Sequence, residues 1–102
     1  MIQFGMTRDE AIRRLREHEA ELRKLGVDRL YLFGSTARGA ASPDSDVDLF
    51  FDYQKGKLGL FGLMEVKERA AAILGLRVDI MTRDSLHRVL RPSIEQSALL
   101  VF

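Results

Sequence analysis

The sequence contains no cysteine and only two histidines among its 102 residues. The absence of cysteine excludes disulfides, thiolate catalysis and cysteine-ligated zinc or iron–sulfur sites. His18 and His87 are too few for a histidine-based metal cage. Any metal must therefore be bound mainly by carboxylates, which favours a hard ion such as Mg²⁺ or Mn²⁺.

The sequence also lacks a charge imbalance and long hydrophobic runs. Its net charge is +1, from 16 basic and 15 acidic residues, so no overall field indicates binding to nucleic acid or membranes. No apolar run approaches the ~18–20 residues of a membrane span, and the N-terminus lacks the hydrophobic region of a signal peptide. We therefore expect one cytoplasmic globular domain, residues 1–102, with no direct nucleic-acid or membrane partner.

The hydrophobic pattern predicts an α/β protein in which helices alternate with short strands. Thr7 and Glu10 match a capping box that opens an amphipathic helix, and Gly26 ends that helix. Apolar residues that run nearly without break from 47 to 51 predict a central strand. After an apolar lead over 1–6, the predicted helices are 7–25, 35–39, 60–74, 84–90 and 93–97, and the predicted strands are 29–33, 46–53, 77–81 and 98–102. The buried side of the helix 60–74 is expected to carry Leu63, Val66, Ala70, Ile73 and Leu74.

The stretch 32–52, LFGSTARGAASPDSDVDLFFD, joins a Gly-Ser turn to a strand that opens with alternate aspartates. Gly34 lets the backbone approach a phosphate closely because it has no Cβ, and Ser35 adds a hydroxyl where the next turn begins. Asp46 and Asp48 lie two residues apart, so both carboxylates project from one face of the strand. Such carboxylates repel each other unless a cation lies between them.

A third carboxylate, Asp79, lies in another predicted strand between Val78 and Ile80, where an unpaired charge is costly. If this strand neighbours that of Asp46 and Asp48, the three carboxylates form one cluster. Two divalent ions ~3.5–4 Å apart in such a cluster can activate an attacking oxygen and stabilise a leaving one. Asp79 could then act as general base. Each feature alone also has a structural interpretation, as an ordinary turn, a salt-bridged carboxylate or a partner of an arginine.

The combined motif resembles the signature of the DNA polymerase beta-like nucleotidyltransferase superfamily: Gly34-Ser35, ten residues, then DVDL at 46–49. Within that superfamily, FGSTARG, SDVDL and LGLRVDIMT resemble the minimal nucleotidyltransferases, or MNT proteins, which are the MntA-like antitoxin partners of HEPN toxins. The resemblance implies the nucleotidyltransferase fold, a small mixed β-sheet with helices packed against it. It also implies that Gly34 and Ser35 hold the triphosphate of ATP.

The same resemblance implies roles for four charged residues. Asp46, Asp48 and Asp79 match the positions that bind two Mg²⁺ ions, for which Mn²⁺ can substitute, and Asp79 matches the catalytic base. Arg38 matches the arginine of the family's ARG segment, which implies a phosphate contact. Its alternative interpretation is that of an intramolecular ion-pair donor.

The resemblance finally implies a reaction, in which active members transfer AMP from ATP to a tyrosine of a cognate HEPN ribonuclease toxin. Because 102 residues leave no room for a separate acceptor-binding domain, we expect the acceptor to be carried by this partner protein. The loop 54–59 and the C-terminal segment are candidate contact surfaces. Two alternatives stay open: an antitoxin that acts by binding alone, and nucleotidyl transfer to a small molecule with a helical partner protein.

Overall fold

A four-stranded mixed sheet positions every candidate site residue. The computed structural model describes residues 6–59 and 61–102. Its strands are β1 (Val27–Phe33), β2 (Val47–Tyr53), β3 (Val78–Thr82) and β4 (Leu99–Leu100), and their order in the sheet is β3-β2-β1-β4. β1 runs antiparallel to β2 and to β4, whereas β2 and β3 are parallel. The predicted class and mixed sheet are confirmed, with β2 as a central strand.

Helices lie on both faces of this sheet, and those on one face supply its core. They are α1 (Arg8–Glu17), α2 (Glu19–Lys24), α3 (Gly34–Ala37), α4 (Gly62–Leu74) and α5 (Arg91–Ser97), with a 3₁₀ turn at Arg83–Ser85. The core packs α1, α2 and α4 against the sheet through Ala11, Leu15, Leu22, Leu32, Val47, Leu49, Phe51, Val66, Ala70, Leu74, Val78 and Ile80. Across the described ranges, none of the helices has the length and apolarity that spanning a bilayer requires.

The single N-terminal helix expected from the sequence is divided in two at His18. The cap itself is confirmed, since the hydroxyl of Thr7 accepts the backbone N–H of Glu10 at 3.2 Å. The Glu10 carboxylate, however, pairs with Arg14. The carbonyl of Arg14 accepts a hydrogen bond from Nδ1 of the His18 ring at 2.9 Å. The backbone N–H of His18 donates instead to the carbonyl of Leu15. The His18 side chain thus takes the acceptor that would have continued the helix.

Two further expectations are wrong in detail. The helix predicted over 84–90 is only a 3₁₀ turn, because Leu86 is buried with an extended backbone (φ −63°, ψ 137°) and turns the chain away. Leu63, expected on the buried side of α4, is 37% exposed. The buried stripe of α4 begins at Gly62 instead, one residue or about 100° around the helix from Leu63. Residues 1–5 of the predicted apolar lead, and residue 60 of the predicted helix, lie outside the described residues.

The C-terminal predictions are confirmed in outline. Pro92 lies in the first turn of α5, which includes the predicted turn 93–97, because a proline needs no backbone N–H partner there. The predicted last strand is shorter than expected, since only the two residues of β4 pair regularly with β1. The chain nevertheless continues along β1, with hydrogen bonds between Val101 and Leu30 (2.8 Å) and between Leu30 and Phe102 (3.0 Å).

Candidate active site

Asp48 and Asp79 are direct neighbours across the parallel pair β2 and β3. The register places Val47 opposite Val78 and Asp48 opposite Asp79. Because side chains alternate along a strand and the two valines are buried in the core, the two aspartates project from the other face. The expected adjacency of the two strands is therefore confirmed. The expectation that Asp79 carries a costly buried charge is wrong, because Asp79 is exposed on an outer strand of the sheet.

Gly34 lies against the carboxylate of Asp48. Phe33, the last residue of β1, is paired with Asp48 in the sheet, and the chain turns directly into α3 at Gly34 with φ of 74°. A Cβ built on Gly34 would lie 2.1 Å from Oδ2 of Asp48, a distance that non-bonded atoms do not adopt. Any larger residue at this position would have to displace the carboxylate of Asp48. The Gly-Ser turn and Asp48, separate in sequence, therefore lie in contact.

Asp46 lies just before β2, and its carboxylate is paired with Arg77. Oδ1 of Asp46 is 3.1 Å from Nε of Arg77, and Nη2 of Arg77 donates to the carbonyl of Asp44 at 3.2 Å. Within residues 6–59 and 61–102, no three carboxylate or imidazole groups converge closely enough to enclose a metal ion. The structure thus brings Asp48 and Asp79 together, while an arginine that the sequence did not single out holds Asp46.

Like charges meet at Asp48. Burial raises the pKa of Asp48 above its ordinary value, the negative charges of Asp79 and Asp46 raise it further, and the positive charge of Arg38 lowers it. Three of the four predicted charged residues therefore act on the fourth, Asp48. A pKa raised by neighbouring carboxylates marks an excess of negative charge that a bound cation would relieve.

This set of oxygen ligands fits Mg²⁺. In sites for phosphate chemistry, Mg²⁺ is usually held by one or two carboxylates with water and substrate phosphates, so a closed cage of protein ligands is not needed. Asp79 is exposed and Asp48 is half-buried at this end of the sheet, and a backbone turn without a Cβ lies beside Asp48. Asp46 could join them if its carboxylate leaves Arg77.

The other two predicted site residues follow Gly34 in and after α3. Ser35 is half-buried, and Arg38 is exposed with its backbone N–H bonded to the carbonyl of Gly34 at 3.2 Å. Between them lies Thr36, which the sequence did not single out. Thr36 is 1% exposed, and its Oγ1 has no hydrogen-bond partner among the described residues. Its only sequence signal is a polar residue in a run of small ones.

A charged cluster closes the opposite end of the same sheet face. Arg83 donates to both carboxylate oxygens of Asp52, at 2.7 and 3.0 Å, and also pairs with Glu95 of α5. Its guanidinium lies 4.9 Å from the ring centroid of Tyr31 and 5.1 Å from that of Phe50. These contacts anchor α5 over the aromatic part of the face. The end that carries Asp48 and Asp79 stays open.

Comparison with known proteins defines the class. Residues 12–101 match the family model described as the nucleotidyltransferase domain. Protein adenylyltransferase MntA of Thermococcus cleftensis is 40% identical over 82 residues, which are 79% of this chain and 82% of that protein. The chain therefore belongs to the nucleotidyltransferase domain family, in its minimal, MntA-like branch. It is accordingly a nucleotidyltransferase enzyme, and the resemblance inferred from its motifs is confirmed.

Solved structures agree with this assignment. One described as a minimal nucleotidyltransferase has a TM-score of 0.78 and 33% identity, with 92% of this chain and 95% of that chain covered. Another, of a tri-AMPylated HEPN toxin of Shewanella oneidensis in complex with an MNT antitoxin, has a TM-score of 0.62. It covers 89% of this chain and 71% of that chain at 19% identity, so it shows a shared fold.

Proposed function

We propose that this enzyme transfers AMP from ATP, with Mg²⁺, to a tyrosine of a cognate HEPN-type toxin and thereby neutralises the toxin. The observation that carries the proposal is the register of Asp48 and Asp79 beside the Gly34 turn, which combines carboxylates with a close backbone approach. The similarity to a protein named protein adenylyltransferase MntA supports AMP as the transferred group. The fold shared with the MNT antitoxin complex supports a HEPN-type acceptor.

Each site residue has a role in this proposal. Gly34 and Ser35 bind the triphosphate of ATP at the turn, and the positive charge of Arg38 contacts its phosphates. Asp46, Asp48 and Asp79 would hold Mg²⁺, which would neutralise phosphate charge and favour ionisation of the attacking hydroxyl. The carboxylate of Asp79 accepts the proton of that hydroxyl. The hydroxyl oxygen then bonds to the α-phosphorus of ATP, and the bond from that phosphorus to the bridging oxygen breaks, so that pyrophosphate leaves.

The exposure of Asp79 favours an acceptor carried by a protein. β3 is an outer strand, so among the described residues no further strand lies beside Asp79. An exposed base at the edge of a sheet is reachable by a side chain on the surface of a partner protein. The partner would then complete a site that the chain alone leaves open on one side.

The direct test is the intact mass of the partner. The chain is incubated with ATP, Mg²⁺ and the HEPN-type protein encoded by the neighbouring reading frame, and mass spectrometry counts the AMP groups added to a tyrosine. Asp79→Asn should slow transfer by about 10²-fold or more, the usual contribution of a general base. Asp84→Asn is the matched control, an exposed aspartate just beyond the other end of β3. Unmodified toxin with the wild-type enzyme would overturn the proposal.

Two other outcomes identify the alternative functions. If a variant with Asp46, Asp48 and Asp79 all changed to asparagine still protects cells from the toxin, neutralisation occurs by binding alone. If labelled ATP yields an adenylylated small molecule while the toxin mass stays unchanged, the acceptor is not the toxin. Protection lost in a triple variant that still binds the toxin would favour AMP transfer.

A further inference from the structure

Arg77 occupies a position that the proposed chemistry has not used. It immediately precedes β3, and its carbonyl accepts the backbone N–H of Val47 at 3.0 Å, which fixes the start of the parallel pair. Arg77 and Asp79 are two residues apart, so they share a face of the extended chain. From there the Arg77 guanidinium reaches the carboxylate of Asp46 and the carbonyl of Asp44. A permanent cation therefore lies on one of the proposed metal ligands.

The ion pair between Arg77 and Asp46 is easily broken because both side chains are exposed to water. The side chain of Arg77 is 79% exposed and that of Asp46 is 48% exposed, so water replaces either partner at little cost. A buried pair could not exchange partners in this way, because separation would leave an uncompensated charge. The pair at Arg83 provides the contrast, since its side chain is 23% exposed and is held by two carboxylates.

We infer that Arg77 is a positioning residue: it neutralises Asp46 while no divalent ion is bound and releases that carboxylate when the ion binds. The inference rests on the function proposed above, because it assumes that Asp46 is a metal ligand. It means that Arg77 competes with the metal, so the apparent affinity for metal is lower than that of the free carboxylates.

The test is Mn²⁺ binding to the complete chain, measured by electron paramagnetic resonance. Arg77→Gln removes the charge and should tighten Mn²⁺ binding about two- to fivefold, the effect of removing one exposed ion pair. Arg77→Lys keeps the charge and should bind Mn²⁺ like the wild type. Arg69→Gln is the matched control, because Arg69 forms a comparably exposed pair with Glu21 at 2.9 Å. It should leave Mn²⁺ affinity unchanged.

A second measurement tests whether the metal displaces Arg77 from Asp46, or whether Arg77 only changes the electrostatic field at the metal site. The side-chain Nε–H resonance of Arg77, assigned by its loss in Arg77→Gln, should shift as Mg²⁺ is added because the carboxylate of Asp46, 3.1 Å from Nε, moves away. Thermal unfolding without metal should show that Arg77→Gln is as well folded as Arg69→Gln.

The outcomes distinguish this inference from the proposed function. If the wild type binds Mn²⁺ but Arg77→Gln binds it no more tightly, Arg77 does not compete with the metal and the inference is overturned alone. A Nε–H resonance that ignores saturating Mg²⁺ also overturns it alone. If the wild type binds no Mn²⁺, the metal-dependent function fails and the inference fails with it.

Discussion

Replacing Gly34 by alanine should disable the site while the protein stays folded, and Gly39 offers a matched control. Both glycines have the left-handed backbone, with φ of 74° at Gly34 and 73° at Gly39. A Cβ on Gly34 would lie 2.1 Å from Oδ2 of Asp48, whereas a Cβ on Gly39 would meet no atom within 4 Å. The two substitutions therefore impose the same backbone strain, and only Gly34→Ala also displaces Asp48.

The size of each effect follows from this geometry. Alanine in the left-handed region costs about 1–2 kcal/mol, so both variants should lose about that much free energy of unfolding. Real Cβ contacts stay above 3.0 Å, so in Gly34→Ala the carboxylate of Asp48 must retreat by 3.0 minus 2.1, or 0.9 Å. A displacement of about 1 Å at a reacting centre can slow a reaction about 100-fold. We expect that loss of AMP transfer in Gly34→Ala and less than about a twofold loss in Gly39→Ala.

Urea unfolding measures the first effect, and the initial rate of AMP transfer to the partner at saturating ATP measures the second. Equal transfer rates in the two alanine variants would refute the reasoning, because the contact between Gly34 and Asp48 would then not matter to the site. A much larger stability loss in Gly34→Ala than in Gly39→Ala would show that Asp48 does not yield and that the backbone moves instead.

Two further predictions concern stability without metal. Thr36→Val should raise the free energy of unfolding by about 1 kcal/mol in urea, because it removes a buried hydroxyl with no partner among the described residues. A loss of stability would show that the hydroxyl is bonded. The raised pKa of Asp48 means that the native protein holds a proton that the unfolded chain releases above about 3.8, so stability falls as pH rises through that window. Asp48→Asn should therefore unfold at a higher temperature than the wild type at pH 7 in EDTA. The difference should fade below pH 3.8, and a difference that grows toward acid would contradict this.

The sequence predicts the site well where the information is local. Because side chains alternate along a strand, the sequence already predicted that Asp48 and the buried Val47 point to opposite faces of the sheet. The glycine before Ser35 already indicated that the backbone can approach a phosphate closely. What brought Asp79 to Asp48 is a parallel pairing, which depends on the crossover through α4 and on register. The residues of a strand specify neither its crossover nor its register. The sequence analysis could therefore predict the three-carboxylate cluster only on the condition that the two strands are neighbours.

Arg77 shows the limit most clearly. From the sequence it is one of many exposed basic residues, and its meeting with Asp46 requires the register of two strands. The break at His18 has a different cause. There the helical periodicity is correct, but a ring nitrogen competes with the backbone for one carbonyl, which no periodicity can reveal.

The distribution of unfavourable features independently supports the location of the site. Within the stretch from 36 to 48, the chain combines a buried hydroxyl without a partner among the described residues with a carboxylate whose pKa is raised by burial and by the negative charges of its neighbours. At the other end of the same face, Arg83 is paired with two carboxylates and packed on two aromatic rings. The charged groups of Arg83 and its two partners at that end of the sheet face are therefore paired within the protein. Because unfavourable features persist mainly where function needs them, the occurrence of both near Gly34 supports this location for the site.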